Sequence, residues 1–206
     1  MATDGLAERA FRPLPVGATE PRGWLRRQLD VQAEGVTAPL EEHWPELADN
    51  EWRGGRRDGW ERGPYYADGL VPLAWLLGDD GLQARAEAWV EAFLDWREDG
   101  GWLGPREPAF SAFPGDPWPR FVVLKVLRQY HEATGDDDAL DAMLGFCRYM
   151  HEGGFEETPL RNWARFRWAD FAVSVHWLYE RTGEEWLLAV ADRAAHQGFD
   201  WSDHFA

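Results

Sequence analysis

Three times along this chain an apolar helix ends in Gly, an acidic tight turn follows, and a second, two-faced helix begins. The stretches are Leu70–Gly78 into Asp79-Asp80, Phe121–Gly135 into Asp136-Asp137-Asp138, and Phe171–Gly183 into Glu184-Glu185. The copies lie roughly 50 residues apart, and helical hairpins repeated in register mark a helical array or toroid, because no hairpin buries its apolar face alone.

The 3.6-residue period places the helices more closely. Pro21–Glu34 opens with Pro in its first turn, carries Trp24, Leu25, Leu29 and Val31, and is expected to stop at Gly35. A long loop follows over Val36–Pro64. Tyr65–Leu77 is nearly all apolar, whereas Leu82–Arg97 alternates Ala86, Trp89, Val90 and Phe93 with Glu87, Glu91 and Asp95. A helix apolar all round belongs inside and a two-faced one outside. The same contrast separates Phe121–Leu127, approached through Pro119, from Ala139–His151, and Phe171–Tyr179 from Trp186–His196. Each hairpin is therefore an inner helix followed by an outer one. The short turns place Gly at the left-handed position after the inner helix, and Asp or Glu is expected to cap the next. The outer-to-inner connections Asp99–Trp118 and Gly153–Trp168 are long, as is Val36–Pro64. Alternating helix direction gathers the short turns on one rim and the long loops on the other, where binding groups usually sit.

Composition bounds the function. At 206 residues and 45% hydrophobic content the chain can bury one core, so a single domain is expected over 1–206, with 1–20 as an extended N-terminal segment. Lys and Arg total 21 against 37 Asp and Glu, for a net charge of -16, which argues against nucleic-acid backbone or anionic membrane as a partner. Lys125 is the only lysine. An acidic, lysine-poor surface suits a high-salt cytoplasm, where screening removes self-repulsion; a GC-rich genome exchanging Lys for Arg is the alternative. The N-terminus has neither a basic nor an apolar signal region, and no apolar run approaches ~18 residues, so neither secretion nor a spanning helix is expected. Cys147 is the sole cysteine, which excludes an internal disulfide or Cys-based metal cluster within the chain and fits a reducing, cytoplasmic location.

The long loops share a chemistry. Trp60, Glu61, Tyr65, Tyr66 and Asp68 lead into the first inner helix, Trp118 and Arg120 into the second, and Trp163, Arg167, Trp168 and Asp170 into the third. Aromatic faces cover the C–H face of a sugar ring, while Arg and carboxylates take its hydroxyls, so a carbohydrate is the expected ligand. Of the 14 Trp, Trp75, Trp89, Trp96, Trp177 and Trp186 fall on apolar stripes and read as packing. Asp68 and Asp170, in first turns, also suit a capping role with Arg120 and Arg167 as ion-pair partners. The six histidines show no metal-ligand spacing, so neither metal nor cofactor is expected in this chain. His176 reads as a hydrogen-bonded core histidine and Cys147 as an inert core thiol.

The string PLPVGATEPRGWLRRQLDVQAEGVTAPLEEHWPEL, followed by WERGPYYADGLVPLAWLL, WPRFVVLKVLRQYHEATGDDDAL and WLYERTGEEWLL, resembles glycoside hydrolase family 127, the beta-L-arabinofuranosidase family, from about Phe11 to Phe205. The resemblance implies an (α/α)6 barrel followed by β-rich domains, and so an all-α fold whose helical hairpins form about half of an (α/α)6 toroid. In characterised members it implies hydrolysis of a terminal glycosidic bond with retention, by a zinc-bound cysteine whose motif lies in the second half of the barrel. Cys147 matches none of those positions, so no catalytic residue or zinc ligand carries over. The chain is then expected to be an N-terminal fragment that contributes sugar-binding loops, inactive alone, with the missing C-terminal half or a second copy as partner. Half a toroid leaves open ends whose apolar faces exceed the few hundred Å² a soluble monomer normally exposes. Two other classes stay open: a non-catalytic carbohydrate-binding or scaffolding array, and another α-toroid enzyme, a polysaccharide lyase or uronide hydrolase, in which Arg120 and Arg167 would hold a carboxylate.

Overall fold

A computed structural model describes residues 6, 7, 9–109, 111, 113 and 115–206. Its helices in chain order are α1 (Gly23–Gln32), α2 (Ala38–His43), α3 (Pro45–Ala48), α4 (Arg62–Leu77), α5 (Asp80–Asp95), α6 (Trp118–Thr134), α7 (Asp137–Tyr149), α8 (Phe155–Glu157), α9 (Asn162–Phe166), α10 (Trp168–Thr182), α11 (Trp186–Gln197) and α12 (Trp201–His204). Among the described residues the only β pairings are two isolated bridges, Asn50 with Arg57 and Arg97 with Leu103. The fold is all-α, built of helical hairpins. Inner helices α4, α6 and α10 pack side by side with α6 in the middle, and each packs on its outer partner α5, α7 or α11. No described helix is long and apolar enough to cross a membrane.

The hairpin turns follow from local chemistry. Gly78, Gly135 and Gly183 take φ of 63°, 77° and 74°, left-handed values that a side chain would strain. Asp79 then accepts the Leu82 N–H at 2.8 Å and Asp136 accepts the Ala139 N–H at 3.0 Å. The third turn departs from expectation. Glu185 makes no capping bond, and Glu184 instead accepts the Trp186 indole N–H at 3.0 Å. Short Asp side chains fold back onto the next turn more readily than the longer Glu.

The N-terminal helix does not end at Gly35. That residue lies in a π-helical turn, Ala33–Thr37, and the chain continues helically through α2. The wider π turn absorbs the glycine without a left-handed residue. The break comes at Trp44, extended at φ -113° and ψ 105°, as a residue before Pro must be. The expected Val36–Pro64 loop is thus helical in its first half. Of the extended segment expected over 1–20, residues 1–5 and 8 lie outside the described residues, as do 110, 112 and 114 of the Asp99–Trp118 loop. The described part of 9–20 is non-helical, with a turn closed from Ala18 N–H to Pro15 O at 3.1 Å.

The core lies between the two helix layers. Phe121 of α6 stacks on Phe171 of α10 at 4.7 Å and 9°, and Phe146 of α7 meets Phe171 edge-on at 5.9 Å. Trp89 and Cys147 are fully buried, and Trp75, Trp96, Trp177 and Trp186 pack half-buried against the same core. α1 contributes no buried residue, and its Trp24, Leu25 and Val31 stay exposed, as does Val173 of α10.

Candidate functional site

The N-terminal ends of α4, α6 and α10 meet on the long-loop rim. Glu61, the residue preceding α4, accepts the Trp118 indole N–H at 2.5 Å, which ties α4 to the first residue of α6. About two turns further along, Asp68 accepts from Lys125 Nζ at 2.9 Å and from Gln129 Nε2 at 3.0 Å, both on α6. Asp68 is therefore in the second turn of α4, not the first. Its partners come from the neighbouring helix, so it does not cap its own.

Above this link the rim opens to solvent. Tyr65 and Trp163 are 43% and 44% exposed, whereas Trp118 is only 2% exposed. Trp118 forms the floor: Tyr65 lies 6.1 Å from it, and the Arg167 guanidinium sits 5.2 Å over its ring and 5.6 Å from that of Trp163. Asp170, in the first turn of α10, completes the group. Burial raises its carboxyl pKa, Arg167 and Lys125 pull it back, and Asp68 adds to the rise. Tyr65 is likewise raised, first by the partial desolvation of its half-covered ring, and feels Arg167, Glu61, Asp170 and Asp68 together. Glu61, Tyr65, Asp68, Trp163, Arg167 and Asp170 thus share one electrostatic neighbourhood, with two exposed rings beside it.

Asp116 organises the rim from below. Its carboxylate accepts the N–H of Trp118 at 3.0 Å, of Trp163 at 3.0 Å and of Ala164 at 3.2 Å. One buried side chain thereby joins the start of α6 to the start of α9 and fixes Trp163. Desolvation lifts its pKa to about 6, against the opposing pull of those three N–H groups.

Three other residues from the same loops go elsewhere. Trp60 is buried and its carbonyl accepts the Trp52 indole N–H at 2.9 Å. Tyr66 is buried against Trp89, and its hydroxyl donates to Thr37 O at 2.9 Å. Arg120 is fully buried, does not pair with Asp68 or Asp170, and donates to the carbonyls of Leu103 at 2.8 Å and of Pro105. Its guanidinium lies 4.5 Å over Trp102 and 5.4 Å over Trp52. These side chains fasten loop to core and present nothing to the rim. Trp168 is half-buried, and its indole N–H donates to Phe199 O at 3.0 Å.

The rim can cover a ring face with Tyr65 or Trp163 and meet hydroxyls with Asp68, Arg167 and Asp170. The family model of the beta-L-arabinofuranosidase GH127 catalytic domain matches residues 30–202. The chain belongs to the GH127 family. No curated protein matches it.

GH127 membership raises the question of zinc. Cys147 is fully buried on α7, and desolvation alone pushes its thiol pKa well above the ordinary value, opposite to what a thiolate ligand needs. The described residues contain no group of three His, Cys, Asp or Glu able to hold a metal ion. They do not fit the metal centre of the GH127 resemblance, and no step is derived through one. His176 is half-buried and desolvation lowers its pKa.

Reading the residues of this GH127 chain in order missed Lys125, Gln129 and Asp116. A signal for two of them exists: Lys125, Gln129 and Glu132 recur at helical spacing along α6, a polar stripe with no place in a core. Asp116 carries no such signal, because its partners Trp163 and Ala164 are 47 and 48 residues away.

Proposed function

We propose that the rim of Glu61, Tyr65, Asp68, Trp163, Arg167 and Asp170 binds the non-reducing-end sugar of a beta-L-arabinofuranosidase-like glycoside hydrolase, and that the nucleophile lies outside it. The observation that carries this reading is the joining of α4 to α6 through Glu61–Trp118 and Asp68–Lys125, with Arg167 at the start of α10 over Trp118 and the exposed rings of Tyr65 and Trp163 beside them. Membership of a glycoside hydrolase family supports the reaction class, and the buried Cys147 supports a binding rather than a nucleophilic contribution. The exposed apolar residues of α1 and α10 favour a partner, either the remaining hairpins of an (α/α)6 barrel or a second copy.

The test is a tryptophan-fluorescence titration with L-arabinofuranosides, other neutral pentosides and uronides, with hydrolysis assayed in parallel. The expected result is saturable binding of a neutral pentoside, lost in Trp163→Ala and weakened in Asp170→Asn, without turnover. Preference for uronides would transfer the rim to a uronide-acting enzyme that uses Arg167, and turnover would place the nucleophile within this chain. A non-catalytic carbohydrate-binding array is the second reading, favoured by the same buried thiol; it requires that supplying a second half never restores hydrolysis.

A further inference from the structure

A cavity of about 360 Å³ lies against the C-terminal halves of α6 and α10 and beneath the N-terminal segment. Its lining is unlike the rest of the molecule. Arg9, Arg12, Arg128 and Arg181 converge on it around Trp177, with Glu132 and Glu180 as its carboxylates. Four guanidiniums gathered in one cavity stand out in a chain of net charge -16.

The ion pairs leave the ends of these arginines available. Arg128 meets Glu132 through Nε at 3.0 Å, and Arg9 meets Glu180 through Nε at 2.7 Å. The terminal nitrogens of Arg128 make no hydrogen bond to Glu132. Among the described residues Arg12 and Arg181 make no ion pair at all. Arg128 and Arg181 lie 5.6 Å and 5.4 Å from the Trp177 ring centroid, and His131 packs edge-on behind that ring at 5.7 Å. The indole thus makes a cation–π contact with each of two guanidiniums. Among the described lining residues four cations stand against two anions, and planar forks match the oxygens of a phosphate.

We propose that this cavity is a binding site for a small phosphate-bearing anion, separate from the rim. A neutral sugar would gain nothing from four guanidiniums, whereas a dianion balances the charge and takes two donors from each of several forks. The cavity volume admits more than inorganic phosphate alone and suits a phosphomonoester of a small sugar.

The experiment is calorimetric titration of the full chain with inorganic phosphate, ribose 5-phosphate and ribose, at one fixed ionic strength. Both phosphates are expected to bind saturably and ribose not to bind at this site. Arg12→Gln and Arg181→Gln should each weaken phosphate about tenfold or more, the loss expected for a charge-assisted contact. Arg97→Gln, exposed and outside the cavity, should bind as the unaltered chain does. Both cavity positions are exposed, so thermal unfolding should show the variants folded. Absence of saturable phosphate binding would overturn the proposal, as would an affinity unchanged from the unaltered chain in both cavity variants or an equal loss in Arg97→Gln. Neutral pentoside titration of the same variants reports on the rim independently.

Discussion

The Trp118 indole N–H donates to the Glu61 carboxylate at 2.5 Å and clasps the first residue of α6 to the start of α4. The ring is buried, so the donor has no water to turn to. Trp118→Phe keeps most of the ring and removes the donor, and should cost about 1–3 kcal/mol of stability, the range for a hydrogen bond to a charged group. Glu61→Gln should cost less. A double-mutant cycle by denaturant unfolding should give a coupling of about 1 kcal/mol; a coupling of zero would mean that the clasp contributes nothing.

Arg120→Met should be among the most damaging single changes. The side chain is fully buried and serves the carbonyls of Leu103 and Pro105, which Met would leave without a donor. A loss of about 3 kcal/mol or more is expected in chemical denaturation. Arg120→Lys should recover only part of it, because a point ammonium cannot supply the guanidinium fork.

Asp116 predicts a pH dependence with a definite sign. Its pKa rises from 3.8 to about 6 on folding, so the folded state binds the proton more tightly. The stabilisation from protonation is complete below the unfolded value and disappears as pH rises through about 6. The stability of the unaltered chain relative to Asp116→Asn should therefore fall between those two pH values, by on the order of 3 kcal/mol in all, and level off above. A difference independent of pH would show that Asp116 does not titrate there. Asp116→Ala, which strands three N–H groups, should be destabilised across the range.

Gly104→Ala probes a close approach. The residue has φ of +90°, and a Cβ there would lie 2.1 Å from a ring carbon of Trp52. Neither the buried indole, held edge-on by Phe93 and by the Arg120 guanidinium over its ring, nor the left-handed backbone can yield cheaply. A loss of about 2–4 kcal/mol is expected in thermal or chemical unfolding.

The acidic surface invites a salt titration. With a net charge of -16, self-repulsion should fall as the Debye length shortens from about 10 Å at 0.1 M to about 3 Å at 1 M salt. Tm should rise over that range in KCl and NaCl alike. An unchanged Tm would separate the scarcity of lysine from any adaptation to salt.

Neighbouring residues show where sequence reading reaches its limit. Tyr65 and Tyr66 both lead into an inner helix, yet one ring faces the rim and the other packs on Trp89. Consecutive helical positions point about 100° apart, and with apolar residues on every side no period says which direction is open. Arg120 and Arg167 present the same difficulty. Each sits beside the Trp that opens an inner helix, Arg120 two residues after Trp118 and Arg167 just before Trp168, and the difference arises because the loop carrying Trp102, Leu103 and Pro105 closes over Arg120 alone. Asp68 was legible as a polar group at this end of α4, and Lys125 and Gln129 as part of a polar stripe on α6, but not their pairing across the two helices.

The hairpins, their inner and outer order, and two of the three acidic caps were determined by the sequence alone, since each depends on groups within a turn or two of one another: a left-handed glycine, a short carboxylate, a run of apolar faces. Which Trp, Tyr or Arg of the long loops reaches solvent was decided only by the tertiary structure. Burial depends on segments as remote as Asp116 and Ala164, and the cost of desolvating a charge is repaid or not according to what those segments bring against it.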